Sequence, residues 1–160
     1  MMTTLCDNHH VGVLIRNERG QFAVIETRDT DTGADVTPVC GHLDGLTYDQ
    51  AARRLVVDEL GLTLRSLNPV LNLWRPDPCL REPGTGDDAG HYWQLFWADV
   101  DGPLTSATEL GRCARWQSAT GLEHLARTTI AYAKGLLAPG EYADSGGWRR
   151  CGSGCWPTRT

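Results

Sequence analysis

Two largely apolar early runs, HVGVLIR (residues 10–16) and FAVIETR (residues 22–28), are rich in β-forming residues and are separated by the polar Asn17-Glu18-Arg19-Gly20. β-Branched and aromatic residues on either side of a turn ending in Gly predict a β-hairpin. Residues 29–38 end the apolar pattern. They are polar and turn-forming, which predicts a loop before the short Val39-Cys40 approach to the next element. The period then changes. Ala51, Ala52, Leu55, Val56 and Leu60 recur at helical spacing and give one apolar stripe. Thr47 stands at the expected N-cap with Gln50 at the capping-box distance, and Gly61 stands where a left-handed C-terminal cap belongs. A strand is predicted over residues 67–74, a turn-rich loop over 75–90, an aromatic strand over 91–100 and a short strand over 114–118. Leu122, Leu125, Ile130, Ala133 and Leu137 mark a second amphipathic helix, closed by Ala138-Pro139-Gly140. Beyond it the chain is Gly-rich and aperiodic. The expected organisation is one domain over residues 1–140 and a flexible Gly/Cys-containing tail over 141–160.

With 160 residues the chain is long enough to bury a core without covalent staples. A formal net charge of -5 argues against a nucleic-acid or anionic-membrane partner, since either needs a basic patch. No apolar run approaches the roughly 20 residues that span a bilayer. The N-terminal MMTTLCDNHH has neither the basic start nor the apolar stretch of a secretory signal, so a cytoplasmic location is expected. Six cysteines in a chain of this kind are expected to be reduced and mostly buried. Cys6, His9 and His10 near one end, with Cys151 and Cys155 near the other, would provide enough ligands for a zinc clip. No second Cys pair completes that signature, and an unliganded tail is the plainer reading. Aromatic sheet surfaces permit a homodimer.

The candidate chemistry lies in residues 41–62, GHLDGLTYDQAARRLVVDELGL. Asp58 and Glu59 are adjacent carboxylates near the negative end of a helix dipole, where they repel one another. A divalent cation would offset that cost; a solvated acidic face is the alternative. Leu55 is expected on the same face, one turn earlier. Cys40, Gly41 and His42 stand at the mouth of the helix, where backbone N–H groups suit an anion. Cys40 as a low-pKa nucleophile with His42 as its base is a sharper alternative to a buried thiol and a surface His.

This stretch resembles the signature box of the Nudix hydrolases, G-x5-E-x7-R-E-U-x-E-E-x-G-U with U aliphatic. Arg54, Val56, Asp58, Glu59, Gly61 and Leu62 fall on the box's R, U, E, E, G and U. The first half departs: Leu46 stands for the first Glu, Leu55 for the Glu after the Arg, and the opening loop is one residue shorter. The resemblance runs through the hairpin, the long aromatic strand, the Trp116 strand and the closing helix. It implies an α/β fold, an α/β/α sandwich with a mixed central sheet and the box helix lining the cleft.

It further implies a hydrolase that cleaves a diphosphate linkage in a nucleotide-derived or other small molecule with Mg2+ or Mn2+. Asp58 and Glu59 would hold the ion, and the loop and helix start would position phosphates. With Leu55, a ligand and candidate base are missing, so turnover should be slow. With Leu46, Arg54 loses its usual carboxylate and needs Asp44 or Asp49 instead. Glu109 lies where several members place a further acid, and Arg28 lies where the family often contacts substrate. Together the expected site comprises Asp58, Glu59 and Glu109 for chemistry and Arg28, Gly41, His42 and Arg54 for binding. The two Glu-to-Leu departures also keep open a binding or regulatory domain without turnover, or an enzyme repurposed for metal-independent biosynthetic chemistry.

Overall fold

The computed structural model describes residues 6–29, 33–76 and 90–145. Strands β1 (His9–Asn17) and β2 (Phe22–Asp29) form the expected hairpin. Gly20 supplies the turn's positive φ of 71°. Strand β3 (Gly33–His42) occupies much of the segment whose composition predicts a loop. It pairs antiparallel with β2, with Asp29 opposite Gly33 and Val24 opposite Pro38, and with β1, where His10 faces His42. Pairing of residues 33–38 with β2 overrides the turn-forming local composition, and Thr37, opposite Ile25, is buried.

Strand β4 (Thr63–Arg75) starts directly after the box, and β5 (His91–Asp101) runs parallel to β1 and antiparallel to β4. Strand β6 (Ala114–Gln117) closes the far edge against β2. The sheet is six-stranded and mixed, in the order β4-β5-β1-β3-β2-β6. With helices on its faces it makes an α/β/α sandwich.

Helix α1 (Tyr48–Arg53) begins at the capping box read from the sequence: the Thr47 hydroxyl accepts from Gln50 N, and the Gln50 side chain accepts from Thr47 N. It continues as a π-helical segment (Arg54–Glu59), and Gly61 ends it at φ 69°. Ala51, Ala52, Leu55, Val56 and Leu60 are all fully buried against Val11, Val13 and Ile15 of β1. A short helix α2 (Glu109–Cys113), capped by Thr108, was not legible in the sequence. Helix α3 (Ala119–Ala133) starts earlier than its apolar stripe, because Ser118 caps it by accepting from Gly121 N. It ends before Gly135, whose φ is 71°. Helix α4 (Pro139–Ser145) extends into the segment expected to be aperiodic, with Tyr142 stacked on Tyr132 of α3 at 4.2 Å.

Two cysteines differ from the reduced state expected of them: Cys40 and Cys113 each take part in a disulfide. Cys40 is therefore not the nucleophilic thiol considered for it. Cys151 and Cys155 lie outside the described residues, so the zinc clip between the chain ends does too.

Candidate active site

The box opens on a tight turn. Leu46 N donates to Leu43 O at 3.1 Å, and both central residues have positive φ, Asp44 at 53° and Gly45 at 82°. Two positive φ values in sequence are what a type I′ turn requires, and Asp-Gly is a favoured pair for it. The shortened loop thus becomes a compact reversal. Leu43 and Leu46, on either side of it, turn inward to the core.

The two leucines that replace box glutamates share this fate. Leu46 packs against the core cluster, and Leu55 is 0% exposed within it. The sequence places Leu55, Asp58 and Glu59 on one face; the structure separates them. Asp58 is exposed and Glu59 half-buried, while Leu55 points into the core. The expectation assumed α-helical spacing, and the π-helical widening over these residues alters that spacing.

Arg54 takes up the slack left by Leu46 only in part. One of its Nη2 contacts is the His42 carbonyl oxygen, at 3.2 Å, and Asp44 is at the limit of bonding distance, 3.5 Å. Asp49 pairs instead with Arg53 at 2.8 Å. Arg54 Nε is buried without a hydrogen-bond partner among the described residues, a cost usually met by a second acceptor.

At the other end of the box, α2 is brought onto the acidic pair. Thr108 Oγ1 donates to the Glu59 carbonyl oxygen at 2.6 Å and accepts from Gly111 N at 3.0 Å. Gly111 permits this approach, since a Cβ there would stand 2.8 Å from Glu59 O and 2.5 Å from Ser106 Cβ. Glu109, exposed at the start of α2, is therefore carried to the same end of the box as Asp58 and Glu59. Their carboxylates do not form a three-ligand cluster among the described residues. No side chain among those residues pairs with Asp58 or Glu59, which leaves two hard oxygen donors open to solvent. Such a pair suits Mg2+ or Mn2+, which commonly take one or two protein carboxylates and complete their shell with water and phosphate.

The binding residues are less concentrated. Gly41 is buried opposite Val11. Arg28 lies in β2 opposite Ala34, and its side chain is outside the described residues. His42 contributes its carbonyl to Arg54, while its ring faces the other way, toward Cys6, His10 and His91. A cavity of about 460 Å3 lined by Arg16, Arg65, Ser66 and Asp99 contains none of the box residues. At the helix start, Tyr48 OH lies 2.7 Å from His9 Nδ1, which ties α1 to β1. Burial raises the Tyr48 phenol above its usual pKa, and the Asp7 carboxylate adds to the effect.

The model of the NUDIX domain family matches residues 8–137, most of the chain. This chain belongs to the Nudix family. A NUDIX hydrolase from Nitrosomonas europaea is similar in structure, with a TM-score of 0.53 at 18% identity over 72% of this chain and 75% of that one. A Bacillus subtilis pyrophosphohydrolase aligns with a TM-score of 0.45 at 19% identity, over 63% of this chain and 56% of the other. At these identities the first likeness speaks to the Nudix fold alone. The comparison with curated proteins gives no match.

Cys6, His42 and His91 form a cluster that the sequence does not signal. The residues are far apart in sequence and follow no spacing motif. The clip expected from the sequence takes His9 and His10 together, but strand alternation sends them to opposite faces: His9 to Tyr48, His10 to His42.

Proposed function

We propose that this Nudix chain is a slow hydrolase of a diphosphate linkage in a nucleotide-derived or other small molecule, working with Mg2+ or Mn2+. The observation that carries the reading is the pair Asp58 and Glu59. They stand at the solvent-facing end of the box, without protein partners among the described residues, beside the docked α2. These two carboxylates hold the ion. When bound, it neutralises charge on the diphosphate and lowers the pKa of a coordinated water. The 41–45 turn and the start of α1 position the phosphates, and Arg54 and Arg28 offer them positive charge. His42 fixes Arg54 through its carbonyl.

Leu55, sealed in the core, neither binds the ion nor takes a proton from water. Absence of a general base commonly costs on the order of 10^2 to 10^4 in rate. Glu109 is the carboxylate best placed to serve instead, because Thr108 pins its helix to the Glu59 carbonyl. The half-exposed aromatic and aliphatic residues of the edge strand β4, Val70, Leu71 and Trp74, support a homodimer. The experiment is product release from a panel of nucleoside diphosphate derivatives with Mg2+ or Mn2+, with and without chelator. Turnover abolished by chelator supports the reading; turnover that ignores chelator refutes it.

One observation favours a second reading. Both box leucines are built into the core, which suits a ligand-binding or regulatory domain without turnover. Such a domain would bind a diphosphate ligand tightly and release no product.

A further inference from the structure

On the sheet face opposite the box helix, three separate segments meet through atoms able to bind a metal. Cys6 precedes β1, His42 ends β3 and His91 begins β5. Cys6 Sγ lies 3.5 Å from His42 Nε2 and 3.2 Å from His91 Nε2, and all three ligand atoms are within 4.8 Å of one another. Cys6 is 5% exposed and His91 1%. His10 stacks on His91 at 4.0 Å between ring centroids, and its Nε2 lies 2.9 Å from His42 Nε2, making it the nearest further nitrogen donor.

We propose that Cys6, His42 and His91 bind a zinc-class divalent ion, distinct from the ion at Asp58 and Glu59. The donor set is a soft thiolate with imidazoles, which selects Zn2+ over Mg2+. Zn–S near 2.3 Å and Zn–N near 2.0–2.1 Å place tetrahedral S···N edges at about 3.5 Å. The two observed edges, 3.5 and 3.2 Å, approach that value. Cys6 Sγ also accepts from Asn8 N at 3.4 Å and lies 3.4 Å from Asn8 Oδ1; a cation would bind its thiolate together with both imidazoles.

The site has a structural consequence for the box. His42 immediately precedes the box turn, and its carbonyl holds Arg54. A metal there would clamp the N-terminal segment, the end of β3 and the start of β5 where the turn begins. It would fix that turn in a chain where the carboxylate contact of Arg54, with Asp44, is as long as 3.5 Å. The assignment does not rest on the hydrolase reading.

The test uses the full chain, loaded with zinc and dialysed against excess Mg2+. Expected are one zinc retained per chain and, after exchange to Co2+, a thiolate-to-metal charge-transfer band with the intense visible bands of a tetrahedral centre. The charge-transfer band should vanish in Cys6→Ser and persist in a variant with Cys151→Ser and Cys155→Ser together. Cadmium NMR of the wild-type protein counts thiolates without any substitution, and should report a single one. Failure to retain zinc overturns the proposal. So does a cadmium signal from all-oxygen ligands or several thiolates, or a band that survives Cys6→Ser and is lost in the double variant.

Discussion

Replacing Leu55 by Glu puts the family's missing carboxylate back at its sequence position, and two accounts of this chain give opposite outcomes. If Leu55 faced the cleft, Leu55→Glu would add a ligand and a base, raising turnover at little cost to stability. In the structure Leu55 is fully buried, in contact with the cluster that includes Val11, Val13, Val56 and Leu60. Losing a buried Leu removes about 1.5–3 kcal/mol of burial. Forcing a carboxyl group into that space adds several kcal/mol more unless it stays protonated or the helix shifts to let it out. A total of at least about 5 kcal/mol, at about 2–4 °C per kcal/mol for a chain of this size, lowers Tm by about 10–20 °C. Calorimetry of wild type, Leu55→Glu and Leu55→Met separates the cases, since Met conserves volume and should cost less than about 1.5 kcal/mol. A Leu55→Glu variant with unchanged Tm and faster turnover would refute the placement of Leu55 in the core.

Other substitutions probe the two ends of the box. Gly111→Ala should destabilise by about 1–3 kcal/mol, because its Cβ would meet Glu59 O at 2.8 Å and Ser106 Cβ at 2.5 Å; an unchanged urea midpoint would contradict the close docking of α2. Thr108→Ala removes both the cap of α2 and the bond to the Glu59 carbonyl, and should cost about 0.5–2 kcal/mol while lowering turnover if Glu109 acts in the site. Asp99 is held below the usual carboxylate pKa of 3.8, first by its hydrogen bond with Arg16 and then by Ser66 and Trp97. The folded state then holds fewer protons than the unfolded one, so this stabilisation is present above pH 3.8 and lost as pH falls through the lowered value. Acid titration of Tm should be flatter over that range in Asp99→Asn than in the wild type, and parallel curves would argue against the contribution.

Much of this architecture is legible in local sequence, and the parts that are not share a cause. The capping box of Thr47 and Gln50 and the Gly61 stop depend only on neighbouring residues, so both appear where the sequence puts them. Strand β3 is not legible in the sequence because Asp35, Thr37 and Pro38 favour a turn locally, while pairing with β2 decides their conformation. The π-helical widening leaves no mark in the apolar stripe, yet it separates Leu55 from Asp58. The resemblance of the box to the Nudix signature identified the acidic pair. It gave no hint of the Cys6, His42 and His91 cluster, whose members meet only through the strand order β5-β1-β3.

The central claim is that Asp58 and Glu59 still support Mg2+-dependent cleavage of a diphosphate without help from position 55. Its most direct test is single-turnover hydrolysis of a nucleoside diphosphate derivative by wild type and Glu59→Gln at saturating Mg2+, with folding of both verified by circular dichroism. Slow cleavage by the wild type that falls at least tenfold in Glu59→Gln is the predicted result. Equal rates in the two proteins, or no cleavage by a folded wild type across the substrate panel, would contradict it.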